Sequence, residues 1–504
     1  MVDGRAACII GAAQLTWRPE DGDAPEPLAM WEAVARRAAS DSGASRPVLE
    51  ALESIDVLYC QSWPYDHPVE RVADRLGAAP ARLRYSGIGG TTPHLLIDGV
   101  AASVAGGKSD LGLVVGGEAL DTVRRAKKEG RRLEWTHRDP ERRPFPFEAP
   151  FHPAEVAHEV FQAWLTFAVF DIARRAHLGA DPSEHRRDIG RMMAALSEVA
   201  ATNPHAWFHR ARTADELIEP SAANRMVGYP YTKHTVAVMD VDMAAGLIVA
   251  SEEKADALGV PRDRRVYLRG SGYAEDATYV AEHNPMWTSP AMAAASREAL
   301  AGAGVDIDDV AHLDLYSCFA SSLSFACDAL GLCADDARGL TVTGGLPFAG
   351  GPGSGYMLHS TAAMVDVLRA DPGSYGLVSG VGMHMTKHAY GVWSAAPPDR
   401  DGTARVARGA ADADISTGVH RTPGPVPIID TWSGPATVAA YSVVHDRDGA
   451  PTWGLAVCDL PAGGRAYGRV ENPELLAEAE QTEWVGAGVE LQAGQDKVNR
   501  VRSR

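Results

Sequence analysis

With 504 residues, 45% of them apolar, the chain has room for roughly two to four domains and is too apolar for wholesale disorder. A formal net charge of −18 excludes nucleic-acid binding as its main role, because neutralising phosphates takes clustered Lys and Arg. Gly (50) and Pro (32) are plentiful, which suits many short connections between strands and helices.

Ala7 to Ala13 reads as a buried strand, and apolar spacing predicts a helix over Leu28 to Ser40. Ile55 to Tyr59 is a short strand, Val69 to Leu76 a helix, and Arg82 to Ser86 a strand entering the turn Gly87-Ile88-Gly89-Gly90. A helix from about Thr91 to Ala105 and a strand from Leu111 to Gly117 follow. Residues 121 to 235 differ: they are basic, aromatic and mostly helical, as in Val156 to Arg175 and Ile189 to Ala201, and read as an insertion over one face of the core.

The earlier grammar then returns. Arg265 to Gly270 is a strand, Pro290 to Ala303 a helix, Leu313 to Tyr316 a strand and Phe319 to Leu330 a helix. The Gly-rich turn at 350–355 opens a helix to about Ala370, followed by the strand Tyr375 to Val381. Two units of Gly-rich turn, helix and Gly-Leu-Val strand in the same order imply an internal duplication. Strands alternating with helices imply a largely parallel, covered sheet. Asp399 to Thr422 is polar and reads as a linker. Beyond it Thr437 to Val444, Trp453 to Asp459 and Ala466 to Val470 alternate like antiparallel strands, with Asp448-Gly449 as a hairpin turn, so the tail reads as a small β-barrel.

The six cysteines are scattered and form neither a disulfide framework nor a metal-type pair, no apolar run is long enough for a membrane helix, and the N-terminus does not read as a signal peptide. A cytoplasmic protein with no metal and no tightly bound cofactor is expected. His384 and His388 share the i, i+4 spacing of a helix face, without a third ligand in sight.

Several ordered motifs carry a family resemblance. Gly107-Lys108-Ser109-Asp110 through Gly116-Gly117-Glu118 resembles the stretch that follows the nucleophile of thiolases, and Asp240 to Gly246 resembles their Asp-Gly-Ala-Ala segment. Tyr316-Ser317-Cys318-Phe319 stands where sterol-carrier-type thiolases have His-Asp-Cys-Phe, and Gly350-Gly351-Pro352 where they have Gly-His-Pro. The chain thus resembles the thiolase superfamily over about residues 5 to 395, and its tail resembles an OB-fold domain found beside some thiolase-like proteins of actinobacteria.

The resemblance implies a five-layered αβαβα fold made of two duplicated α/β halves plus a small C-terminal OB-like barrel. It divides the chain into 1–120 with 236–255 (first half), 121–235 (helical loop domain), 256–397 (second half) and 423–504 (barrel). It also implies what is missing. The nucleophilic cysteine falls on Gly90, the activating histidine on Gly351, the second cysteine near Val378 and the Asn/His position on Tyr316. The resulting expectation is an acyl-CoA-binding, thiolase-like member of the acyltransferase superfamily without thiolase turnover, with a place in lipid metabolism.

Two alternatives stand beside it: an aldolase-type acyl-CoA lyase using Tyr316, Cys318 or His388, and a non-catalytic scaffold recruiting a protein partner through the barrel. The basic residues Arg124, Arg125, Lys127 and Lys128 are the candidates for CoA phosphates. The turns containing Gly89, Gly90, Gly350 and Gly351 either offer open amides to a thioester oxygen or are tight turns required by close sheet–helix packing, and the glycines are expected to widen the cavity. The strand Arg82 to Tyr85, where thiolases usually pair, carries two arginines, which leaves monomer and homodimer both open.

Overall fold

The computed structural model describes residues 3–141, 151–398 and 424–504. The linker expected over Asp399 to Thr422 lies outside the described residues. The first half supplies β1 (Ala7–Thr16), α1 (Pro27–Asp41), β2 (Ser54–Val57), α2 (Pro68–Leu76), β3 (Arg82–Tyr85), α3 (Thr92–Ala105) and β4 (Leu111–Ala119). The insertion follows as α4 (Leu120–Lys128), α5 (Pro153–Ala157), α6 (Ala163–His177), α7 (Pro182–Thr202), α8 (Ala214–Ile218) and the hairpin β5 (Met226–Gly228) and β6 (Tyr231–Thr232). β7 (Asp242–Ser251) returns to the core, and α9 (Glu252–Leu258) leads out of it. The second half comprises β8 (Val266–Glu275), α10 (Pro290–Ala303), β9 (Val310–Asp314), α11 (Ala320–Leu330), α12 (Tyr356–Ala370), β10 (Tyr375–Gly382) and β11 (Lys387–Ser394). The tail contains β12 (Gly434–His445), β13 (Pro451–Asp459), β14 (Arg465–Val470), α13 (Pro473–Gln481), β15 (Gly488–Ala493) and β16 (Asn499–Ser503).

The duplication is visible in the pairing. One nine-stranded sheet runs β3-β2-β4-β7-β1-β8-β11-β10-β9, with its seam where Cys8 and Ile9 of β1 face Tyr267 and Val266 of β8. Read outward from the seam, both sides repeat one order. The first strand pairs antiparallel with the last (β1 with β7, β8 with β11), and the last antiparallel with the fourth (β7 with β4, β11 with β10). The fourth then pairs parallel with the second (β4 with β2, β10 with β9). Among the described residues the second half has no counterpart of β3, and the Leu315 amide donates instead to the Leu340 carbonyl at 2.9 Å.

α1 and α10 pack on β1/β7 and β8/β11, while α3 and α12 contact each other between the halves, so the two halves of the sheet, joined at the seam, serve as two layers in the order helix, sheet, helix, sheet, helix. β4 and β7 are buried at every residue, which explains their unbroken apolar wording. α3 is tied to the second half by a buried polar contact: the Ser271 hydroxyl of β8 donates to Asp98 Oδ2 at 2.5 Å and lies 3.0 Å from His94 Nε2.

Two local expectations differ. The continuous helix predicted over Val156 to Arg175 is broken into α5 and α6, because Glu159 takes a left-handed conformation (φ 58°) and His158 turns inward, its Nε2 accepting the Asn499 amide at 2.9 Å. The segment holding His384 and His388 is not helical. It is a turn with Met383 and Met385 at φ 55° and 59°, leading into β11.

The tail closes as β12-β13-β14-β16-β15-β12, with β14 parallel to β16 and α13 between β14 and β15. That is the strand order and helix position of an OB-fold barrel, with Gly449 at φ 84° in the first hairpin as the Asp-Gly wording requires. The barrel is fused to the insertion rather than tethered beside it. β5 pairs with β12. The fully buried Arg175 of α6 donates to the hydroxyls of Tyr229 (3.2 Å) and Tyr441 (2.9 Å) and to Glu483 (3.0 Å). Tyr467 of β14 donates to the buried Glu155 at 2.9 Å. Breaking a buried charge contact of this kind leaves several polar groups unpaired. Arg175→Met is expected to lower stability by about 2–3 kcal/mol, read as a lower midpoint in chemical denaturation followed by intrinsic tryptophan fluorescence, with β-sheet circular dichroism kept in the native state.

Candidate functional site

The Gly-rich turn at 87–90 brings the N-terminus of α3 against β10. A Cβ placed on Gly90 would overlap the carbonyl oxygen of Val381 and stand 2.7 Å from the Tyr316 hydroxyl oxygen. Only glycine fits. The cavity is therefore not widened at this position, contrary to expectation, because a phenol and a backbone carbonyl fill the space a side chain would take. Tyr316 is held by its amide donating to Ser379 Oγ (2.9 Å), by its carbonyl accepting from Ser322 Oγ (2.6 Å) and by an edge-on contact with Tyr356, centroids 5.5 Å apart. Burial, with the nearby Cys318 adding to it, pushes the Tyr316 phenol well above its usual value, so it keeps its proton at neutral pH.

The two Gly-rich turns also close on one another. The Gly89 amide donates to Ser354 Oγ at 2.9 Å, and the Gly351 amide to the Val238 carbonyl at 2.9 Å. Those two amides are engaged inside the protein rather than open to a ligand. A Cβ on Gly351 would meet Leu346 at 3.0 Å, and one on Gly350 would meet the Met243 sulfur at 2.8 Å, so apolar packing surrounds this turn as well. Val378 is fully buried in β10, opposite Gly391 of β11.

Cys318 is buried, and burial pushes its thiol up to about 12, which makes it a poor thiolate source at neutral pH. His388 sits in β11 with Nε2 between Asp276 Oδ2 (3.2 Å), Ser289 Oγ (3.1 Å) and the Met385 carbonyl (3.2 Å). Those contacts anchor the α10 N-terminus, and no contact joins His388 to Tyr316 or Cys318 among the described residues. His384, between the two left-handed methionines, lies 2.8 Å from Thr166 Oγ1 of α6, and burial lowers it to about 4. Glu118, near the end of β4, accepts from the Gln61 amide (2.7 Å), the Ser62 amide (2.8 Å) and Ser62 Oγ (2.6 Å), fixing the loop after β2. Asp242 likewise accepts from Thr122 Oγ1 at 2.6 Å, which locks β7 to α4.

Beside this packed centre lies a cleft of about 540 Å³, lined by the turn 86–89, Thr91, Thr92, Arg84, Met383 and Lys387, among others. Thr91, the N-cap of α3, is 2% exposed and makes no capping bond, and Thr92 opens the helix. Arg82 and Arg84 share the buried Asp56 at 2.8 and 2.6 Å, leaving one positive charge in excess at the rim, while Lys387 pairs with Glu275 at 3.5 Å. A threonine hydroxyl with no base beside it is a poor nucleophile, so the two threonines offer the cleft polar lining. Their position in a cleft follows from the turn geometry, for which the glycines were the available signal.

The whole chain superposes, at full coverage of both proteins and a TM-score of 0.83, on the crystal structure of a monomeric SCP2-thiolase like protein type 1 from Mycobacterium smegmatis, with 30% sequence identity. The chain belongs to the SCP2-thiolase-like proteins. Two more distant structures share the fold alone: an Ltp2-ChsH2(DUF35) aldolase (17% identity, TM-score 0.58, covering 78% of this chain and 98% of that one) and human mitochondrial 3-ketoacyl-CoA thiolase (15%, 0.55, 78% and 99%). No protein-family model and no curated protein sequence matches the chain. In this SCP2-thiolase-like protein no helix among the described residues is long and apolar enough to cross a membrane.

Two outcomes follow. Gly90→Cys is expected to destabilise the fold by about 1–3 kcal/mol through overpacking and to form no acyl-enzyme, checked by thermal unfolding and by intact mass after incubation with acetyl-CoA. Acid is expected to weaken the native state. Burial lowers His384 and His283 to about 4 and His359 to about 3, so an unfolded chain binds protons at these sites that the native one does not. Stability should fall as pH drops from about 6.5 toward 4, and His359→Gln should flatten that slope in urea midpoints measured across the window.

Proposed function

We propose that this SCP2-thiolase-like protein binds acyl-CoA thioesters and does not pass the acyl group through a cysteine. One observation carries the negative half: the position matching a thiolase nucleophile is a glycine whose Cβ site is filled by the Val381 carbonyl and the Tyr316 hydroxyl. The other matching positions, Gly351 and Val378, are packed against apolar neighbours or buried in a strand, and Cys318 keeps its proton. The cleft at the start of α3 supports the binding half, since it offers threonine hydroxyls, a helix N-terminus and an excess positive charge in a volume fit for an acyl-thioester group.

A second reading, an aldolase-type lyase acting on a β-hydroxyacyl-CoA, is favoured by the Tyr316 phenol, a hydrogen-bond donor at the core of the site. Because burial holds that phenol protonated, Tyr316 would serve as an acid or donor and the base would have to come from elsewhere. Calorimetric titration with CoA, acetyl-CoA and a long-chain β-hydroxyacyl-CoA tests the first reading. One ester binding at least tenfold tighter than free CoA is expected, and no ester binding would sink it. Tyr316→Phe separates the two readings: ester binding should change less than threefold, whereas a lyase would lose aldehyde or ketone release with binding retained.

A further inference from the structure

The basic run expected to grip CoA phosphates is split by the fold. Arg124 pairs with Asp121 and, at 3.5 Å, with Asp240. Arg125 pairs with Asp121 at 2.8 Å and Asp23 at 2.9 Å. These two arginines are engaged in holding α4 to its surroundings. Lys127, one residue past the buried Ala126, instead faces a separate cleft of about 440 Å³. Arg131, Arg132 and Arg138 line the same cleft together with Trp63 and Trp135, against a single carboxylate among the described residues, Glu134.

The aromatic pair is built rather than incidental. Trp63 and Trp135 meet edge to face with centroids 5.3 Å apart, although 72 residues separate them in the chain. The Trp63 indole N–H donates to the Thr136 carbonyl at 3.0 Å, which fixes its ring, and the Arg138 guanidinium lies 5.4 Å over it. Both rings are only partly buried. Arg131 is neutralised by Asp23 and Glu129, but Lys127 and Arg138 have no carboxylate within ion-pair distance among the described residues, and Arg132 meets only Glu134 at 3.5 Å on an exposed surface. Cations in the last turn of α4 also suit the helix dipole. That accounts for Lys127 but not for two partly exposed tryptophans beside it, nor for Arg132 and Arg138 beyond the helix. In a chain of net charge −18, such a cluster is a local reversal of field that draws anions.

We infer that the cleft between α4 and the loop after β2 binds the base and phosphate of a nucleotide, with Trp135, propped by Trp63, taking the flat ring and Lys127, Arg132 and Arg138 the phosphate. Indole faces stack on bases of any identity, and charge-assisted contacts from Lys and Arg hold phosphate oxygens. The inference does not rest on the acyl-CoA reading, because the chemistry is shared by a free nucleotide and by the nucleotide end of a CoA ester.

The test titrates the full chain with ADP, CoA and pyrophosphate, following intrinsic tryptophan fluorescence and calorimetric heat. ADP or CoA is expected to bind, with pyrophosphate at least tenfold weaker. Trp135→Ala and the exposed pair Lys127→Gln with Arg132→Gln should each weaken binding at least tenfold while leaving the thermal midpoint of the surface double variant unchanged. Binding of ADP as tight as CoA identifies a free nucleotide as sufficient, and binding of CoA alone identifies the nucleotide end of a thioester carrier. The inference is overturned if neither nucleotide binds, if both variants bind as the native protein does, or if pyrophosphate binds as well as ADP. Acetyl-pantetheine, which lacks the nucleotide, probes the α3 cleft by itself, so failure here and failure of the acyl-CoA reading are told apart.

Discussion

The contact on which the centre of the molecule turns is the approach of the α3 turn to the backbone of β10. Gly90 lies so close to the Val381 carbonyl that no side chain fits, and the adjacent Gly89 amide is held by Ser354 from the other Gly-rich turn. These contacts join the first half of the molecule to the second, and α3 and α12 start from them side by side. With the turns this close, Tyr316 can reach from the end of β9 to the Gly90 position, and the space between the halves is filled from both sides. A site of this kind gains rigidity and loses room for a covalent intermediate. The cleft that remains is displaced to the outer side of the α3 turn, toward Arg84 and Lys387.

The barrel is bound by a different logic. Arg175, Glu155, His158 and Arg465 are all buried, and each bonds across the boundary between the body and the tail. Arg465 donates to the Ala281 carbonyl at 3.1 Å, and Arg469 covers the Trp453 ring at 4.2 Å beside Glu159. In OB-folds the face of the second and third strands commonly receives ligands. Here β13 and β14 present Trp453, Arg465, Tyr467 and Arg469 to α5 and to the chain around Ala281, so that face is largely taken up by the protein's own body. The break between α5 and α6 has the same cause, since His158 is pulled out of helical register toward Asn499.

Much of this order was legible in the chain. The Gly-rich turns and the Gly-Leu-Val strands are worded alike because both strands are buried almost throughout, so the duplication is legible in the sequence. Strand and helix limits came within a few residues wherever an apolar run met proline or glycine, as at Pro290 and Gly304. Other features rest on contacts between residues far apart in sequence. Nothing local marks Trp63 as the neighbour of Trp135, or Arg175 as the partner of Tyr441 and Glu483. The reading that glycine opens a cavity failed for a related reason: losing a side chain enlarges a site only if nothing moves in, and Tyr316, 226 positions away, stands there. The helical spacing of His384 and His388 misled because the chain between them is a turn with Met383 and Met385 in the left-handed region, and only His388 lies in β11.

The strand absent from the second half has a geometric corollary. At the far end of the sheet the outer side of β9 is met by the chain around Leu340, with Arg338 donating to the Val310 carbonyl at 2.8 Å and Asp314 accepting the Val342 and Thr343 amides. At the near end β3 is an edge strand with Leu83 exposed. Among the described residues this sheet therefore has one free margin, not two. Copies that add strand to strand through the β3 margin must meet like edge to like edge and stop at a pair, so this sheet does not extend into an endless ribbon through that margin.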